Sequence, residues 1–156
     1  IQKGRGVTNI TGEKLYEGQL IDAMTVTEEE MHLNSKFYLM IANEEDSCYE
    51  LFIEPSDYSR KDFKKHLKVF TENLDDHLSN INVEYSAKRK SGRLKETQVS
   101  LLKKNCYEKM KDFFIEVKKQ REAQFKPSLL QYKKDVEFKI KDYVEEQIET
   151  NKNKAG

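Results

Sequence analysis

The sequence predicts an α+β fold: a small mixed or antiparallel sheet of four to five strands, helices packed on its faces, and a further helix at the C-terminus. Three observations predict it. Two apolar runs, 37–42 and 49–53, stand either side of five polar residues, as in a hairpin. Stripes of apolar residues at three- and four-residue spacing flank that pair. The length of 156 residues fits one domain, and 8 Phe and 8 Tyr offer a core although 36% of the residues are charged.

Residues 6–10 are short and β-branched and run into Thr11-Gly12, a strand ending in a turn. Leu15, Leu20, Ile21, Met24 and Met31 then recur at roughly helical spacing, so a helix is expected over about 15–32, with Thr25-Val26-Thr27 its weakest stretch. The hairpin follows, with residues 43–47 as its acidic loop. Pro55 ends its second strand because it cannot donate to a ladder. Ser56 or Asp57 can cap a helix to about Ser79 with the stripe Tyr58, Phe63, Leu67, Phe70, Leu74 and Leu78. Residues 81–85 alternate and read as a strand, 88–93 as a basic loop turning at Gly92, and 97–102 as another strand. Asn105 can cap a third helix with Tyr107, Met110, Phe113, Phe114 and Val117 inward, broken at 124–127. A terminal helix over about 130–149 is expected to carry Val136, Ile140, Tyr143, Val144 and Ile148, ahead of a polar, disordered tail.

Composition removes several function classes. The 28 Lys+Arg balance 28 Asp+Glu, whereas a dedicated nucleic-acid binder shows a basic excess. No apolar run approaches the ~20 residues that span a membrane, and no basic-then-apolar start marks a signal peptide. Two cysteines make no disulfide scaffold, so a cytosolic setting is expected. His32, His66 and His77 stand singly, without zinc-ligand spacing. There is no nucleophile elbow and no glycine-rich phosphate loop, so a self-contained nucleotide-binding domain is not expected. The first residue is Ile1, not Met, and the chain is expected to be a piece of something longer.

Some residues carry chemistry, each with a bland reading beside it. Cys106 sits near a helix start, which lowers a thiol pKa, but such a residue is more often a packing residue. Lys88, Arg89 and Arg93 form a basic run that could meet phosphate, although charge runs are usually solvated faces. Lys126 precedes Pro127, which biases it toward extended backbone, a rigid way to present a point charge to a phosphate or carboxylate. Lys14 stands where a strand turns into a helix, where backbone N–H groups favour anions. On physics alone neither lysine is distinguished from the other basic residues.

Residues 81–94, with Asn82-Val-Glu-Tyr85, Lys88-Arg89 and Ser91-Gly-Arg-Leu94, followed by Gln124-Phe-Lys-Pro127, resemble the C-terminal part of the auxin-responsive (Gretchen-Hagen) acyl-acid amido synthetases, specifically their bacterial members. Residues 9–17 with Gln19-Leu20 resemble the start of the same domain, and the similar segments span about 9–130 in the family's order. The resemblance implies the adenylate-forming superfamily, whose members activate a carboxylic acid with ATP and Mg²⁺ and pass the acyl group to an amine such as an amino acid. It implies that residues 1–130 are the small domain that closes over a separate N-terminal domain, the binder of most of the nucleotide, metal and acyl substrate. Residues 131–156 are then a terminal helix and tail without counterpart, and this piece alone is expected to be inactive. Lys126 matches a lysine that meets the nucleotide phosphates during adenylation, and Lys14 one that also points at the nucleotide. Lys88, Arg89 and Arg93 are left as phosphate or interdomain contacts. Ser128-Leu129-Leu130 stands where plant members carry an Arg and a Cys. The hinge is expected upstream of Gly4-Arg5. The alternative is a stand-alone α+β interaction module without catalysis, which predicts Lys14 and Lys126 on unrelated faces.

Overall fold

The computed structural model describes residues 6–119, 121 and 125–147. Ile1, Gly4-Arg5, Gln124, Ile148 and the polar tail lie outside the described residues. Strand β1 (Val7–Thr8) pairs antiparallel with β2 (Leu15–Tyr16), and helix α1 (Glu17–Met31) begins directly after it. The β-branched stretch inside α1 is accommodated because the hydroxyls of Thr25 and Thr27 donate to the carbonyls of Ile21 (2.8 Å) and Ala23 (2.7 Å). His32, at φ 55°, ends the helix in the left-handed conformation.

Strands β3 (Ser35–Asn43) and β4 (Cys48–Pro55) form the expected hairpin, closed at the Asn43–Cys48 pair. The Asn43 carboxamide organises the loop: its Nδ2 donates to Asp46 and Glu50, and its Oδ1 accepts the Asp46 N–H, each at 3.1 Å. A short 3₁₀ turn leads to α2 (Arg60–Ile81), which buries Phe63, Leu67, Phe70, Leu74 and Leu78 as its spacing predicts. Tyr58 remains 69% exposed in the 3₁₀ turn, outside the stripe.

The strand expected at 81–85 is instead the junction between α2 and α3 (Val83–Ser91). Asn82 caps α3 by accepting the Tyr85 N–H at 2.9 Å, and Gly92, at φ 84°, ends it. The apparent alternation had no sheet behind it: Ile81 is 40% and Val83 80% exposed, and of the three alternating apolar residues only Tyr85 is buried. Of the basic loop expected over 88–93, residues 88–91 form the last turn of α3, where Lys88, Arg89 and Lys90 complement the helix dipole, and only Gly92 and Arg93 lie beyond it.

Strand β5 (Gln98–Leu102) lies where a strand was expected, and α4 (Cys106–Asp112) follows. Asn105 does not cap it with its side chain. The buried Glu54 carboxylate reaches across from β4 and accepts the N–H groups of Asn105 (3.0 Å) and Tyr107 (2.8 Å). A π-helical turn, Phe113–Val117, continues α4, and Val117 faces out.

The terminal helix is not formed over residues 130–147. They make β6 (Leu130–Tyr132), two 3₁₀ turns, and β7 (Val144–Gln147). Phe138 and Ile140, two residues apart, are buried in the same cluster, which residues nearly opposite on a helix could not share. β6 and β7 form the two edges of a five-stranded mixed sheet, ordered β6-β3-β4-β5-β7. β3 and β4 run parallel to β6 and β5 respectively, while β3–β4 and β5–β7 are antiparallel.

The sheet is covered on both faces, which is why its central strands read as apolar runs. Met40, Ala42, Tyr49, Leu51 and Ile53 pack under α1, α2 and α3. Leu39, Ile41 and Phe52 face the other way, against Cys106 and Met110 of α4 and against Phe138 and Ile140. No helix among the described residues is long and apolar enough to cross a membrane.

Candidate functional site

The turn between β1 and β2 carries Lys14 on a short rigid platform. Asn9 Oδ1 accepts the Gly12 N–H at 2.7 Å, and the Asn9 N–H donates to the Tyr132 hydroxyl of β6 at 2.9 Å. Glu13, fully buried, folds back on the turn. Its Oε2 accepts from the Ile10 N–H and the Tyr49 hydroxyl, and its Oε1 from the N–H and hydroxyl of Thr11, all at 2.8 Å. Burial alone would raise the Glu13 pKa. The backbone donors of Ile10 and Thr11 and the Tyr49 hydroxyl outweigh it and hold the carboxyl below its ordinary range. The Lys14 carbonyl accepts from Asn82 Nδ2 at 2.7 Å, while its side chain is exposed.

Gly12 has φ +119°, and Lys88 passes directly over it: a Cβ built there would meet Lys88 Cε at 3.0 Å and Nζ at 3.2 Å. The structure therefore brings Lys88 to the turn that carries Lys14. Arg89 has a different place. It is half-buried, with Nε on Asp75 at 3.0 Å and Nη1 on the Leu94 carbonyl at 3.1 Å, and Asp75 also takes the Tyr85 hydroxyl at 2.6 Å. These bonds make Arg89 a clamp between α2, α3 and the segment entering β5. Arg93 is exposed beside the Gly92 cap, with its N–H on the Ser91 hydroxyl at 3.3 Å.

Lys126 is exposed, on the segment that enters β6. Phe125 before it packs against Tyr107 and Phe114, with ring centroids 5.8 and 5.7 Å apart. After Pro127, the Ser128 hydroxyl and the Leu129 N–H donate to the Glu17 carboxylate at 3.3 and 3.4 Å. Lys126 borders a cleft of about 270 Å³ floored by Leu39, Phe114, Phe138 and Ile140. Its segment is thus anchored on both sides of the exposed Lys126 side chain. The Lys14 turn, through Asn9 and Tyr132, and the Lys126 segment, through its continuation into Leu130, both adjoin the β6 edge of the sheet. Among the described residues no carboxylate lies within ion-pair distance of either lysine, in contrast to Arg89.

Cys106 is fully buried, and burial, with Glu54 and Glu108 nearby, pushes its thiol up to about 12. A group so protonated is no nucleophile near neutral pH, and it packs against the sheet instead. Among the described residues no cluster of three His, Cys, Asp or Glu is arranged to hold a metal ion. Sequence reasoning missed Glu13, Asn82 and Tyr49, the groups that hold the Lys14 turn. The acid of Gly12-Glu13-Lys14 was visible, but nothing in the sequence told that it is buried.

The sequence profile of the GH3 family C-terminal domain matches residues 18–135. No curated protein sequence matches. Among solved structures, a GH3.15 acyl acid amido synthetase is similar at TM-score 0.74 and 15% identity, over 93% of this chain and 27% of that one. A second, AtGH3.15 acyl acid amido synthetase in complex with 2,4-DB, is similar at TM-score 0.72 and 15% identity, over 92% of this chain and 26% of that one. The chain thus spans about a quarter of the length of these structures.

Proposed function

Because the chain belongs to the GH3 family, as its C-terminal domain, we propose that it is the closing domain of an ATP-dependent ligase that adenylates a carboxylic acid and transfers the acyl group to an amine such as an amino acid. The observation that carries this reading is the profile match over most of the chain, joined to two exposed lysines, without carboxylate partners among the described residues, on anchored segments that adjoin one sheet edge. In the first step a carboxylate oxygen attacks the α-phosphorus of ATP, forming the acyl–phosphate bond as the bond to pyrophosphate breaks. Lys126, an ammonium carried on an anchored segment, stabilises the charge shared by the attacking carboxylate and the α-phosphate. Lys14 meets the nucleotide from the β1–β2 turn, with Lys88 and Arg93 flanking as phosphate or interdomain contacts. The amine then attacks the acyl carbon and AMP leaves.

The rest of the chemistry belongs to the partner N-terminal domain, which in this reading holds the base, ribose and acyl group. Mg²⁺, when bound, neutralises the phosphate charge. In this reading it would be held mainly by that domain, together with the nucleotide. Two free buried cysteines agree with a reducing, cytosolic setting.

The test is ATP–pyrophosphate exchange by the full-length protein, screened against carboxylic acids. Lys126→Ala is expected to slow exchange about 100-fold, the scale of losing one preorganised charge-stabilising group. Exchange at the wild-type rate would overturn the assignment of Lys126.

A further inference from the structure

We propose that Glu13 is a positioning residue for Lys14: its buried carboxylate latches the β1–β2 turn onto Tyr49 of β4 and thereby fixes the direction in which the Lys14 ammonium is presented. The inference rests on the reading that Lys14 meets the nucleotide.

The latch has a defined chemistry. An ionised carboxylate only accepts, so the Tyr49 hydroxyl must donate to Glu13 Oε2. Its single proton is then used, and the contact of 2.8 Å between Tyr49 Oη and Thr8 Oγ1 must have Thr8 as donor. The chain of donors runs from Thr8 to Tyr49 to Glu13 and crosses from β1 through β4 back to the turn. With the Ile10 N–H and both donors of Thr11, four hydrogen bonds fill the carboxylate.

Geometry passes this fixation on to Lys14. Residues 13 to 16 alternate: Glu13 and Leu15 are fully buried, while Lys14 and Tyr16 are exposed. With Glu13 pinned inward, Lys14 has one outward direction. Asn82 Nδ2 holds the Lys14 carbonyl from the other side, so the backbone is clamped at the point where the Lys14 side chain leaves it. Such pre-orientation of a charge is what makes it effective on a phosphate.

The same bonds show why glutamine is no substitute. Each carboxylate oxygen faces a backbone N–H, Ile10 on one side and Thr11 on the other. In either orientation a Gln carboxamide NH₂ would confront a donor. Aspartate keeps the charge but is one methylene short.

The experiment measures pyrophosphate exchange, with KM for ATP separated from kcat, in the full-length protein and in Lys14→Ala, Glu13→Gln, Tyr49→Phe and the double variants with Lys14→Ala. Because coupled residues act non-additively, Glu13→Gln should lower kcat/KM for ATP about tenfold alone and less than twofold when Lys14 is already alanine. Tyr49→Phe removes one donor of the four and should show the same pattern in weaker form, which keeps the test alive if Glu13→Gln fails to fold. Amide hydrogen exchange at Ile10 and Thr11 should quicken in both variants. Losses that multiply in full with that of Lys14→Ala, or no loss beside a damaging Lys14→Ala, would overturn the positioning role alone. A silent Lys14→Ala would overturn the nucleotide reading of Lys14, and the inference with it.

Discussion

Charged side chains in this domain are buried or half-buried to hold backbone, among them Glu13 at the β1–β2 turn, Glu54 at the start of α4, and Arg89 at the junction of α2 and α3. Each meets donors or acceptors that the chain would otherwise bury unsatisfied, which is costlier than burying a satisfied charge. For Glu13 the consequence is a pH dependence with a definite sign. Its pKa is lowered in the folded state, so its contribution to stability is fully present above the unfolded value of about 4.3 and is lost as pH falls through the lower folded value. The difference in denaturation midpoint between wild type and Glu13→Gln should therefore be constant from neutral pH down to about pH 5 and shrink below it. Comparing two variants at each pH cancels the titration of the other carboxylates. A gap that widens on acidification would contradict the latch.

At the scale of elements, the decisive residue is Asn82, which serves two structures at once. Its Oδ1 caps α3 through the Tyr85 N–H, and its Nδ2 holds the Lys14 carbonyl and reaches Gln19 Oε1 at 3.0 Å. Loss of an N-cap costs about 1 kcal/mol, and loss of the Nδ2 bonds should add to it. Asn82→Ala is expected to destabilise the domain by about 2 kcal/mol in urea titration. Asn82→Asp keeps the cap acceptor, loses the donor and should cost about 1 kcal/mol. An Asn82→Asp protein as stable as wild type would show that the second role contributes nothing. The same residue explains what could be read from the sequence. The β3–β4 hairpin, α2 and β5 were legible because their apolar spacing largely coincides with their burial, and α1 through Leu20 and Met24, although Ile21 of its expected stripe is exposed. Residues 81–85 were not, since Ile81, Val83 and Tyr85 alternate as a strand would while Asn82, a cap residue in their midst, set the structure. Lys14 and Lys126 were legible only through family resemblance. What holds them, Glu13, Asn82 and Tyr49, comes from chain segments far apart in sequence, and no local pattern records such a meeting.

For the molecule as a whole, the segment after Leu129 closes the fold. The irregular spacing of residues 130–147 reads as a poor helix because each part answers to a distant partner. Leu130 pairs with Met40 of β3, and Val144 with Leu102 of β5. Phe138 and Ile140 cover the sheet face beside α4, and Glu145 ties β7 to α2 through Arg60 and through Lys64 at 3.1 Å. Without this segment, β3 and β5 become open edges, and the face bearing Leu39, Ile41, Phe52 and Leu102 loses part of its cover. Exposed edges of this kind are templates for association. The anchor of Asn9 on Tyr132 goes as well, so the Lys14 turn is loosened together with the edge. A protein ending at Leu129 is accordingly expected to lose cooperative thermal unfolding and to associate, as read by near-ultraviolet circular dichroism and gel filtration, whereas one ending at Gln147 should keep both its transition and its monodispersity. If the shorter protein melted cooperatively at the same temperature, β6 and β7 would be appendages of a core complete without them, and the mixed five-stranded sheet would not be the unit that folds.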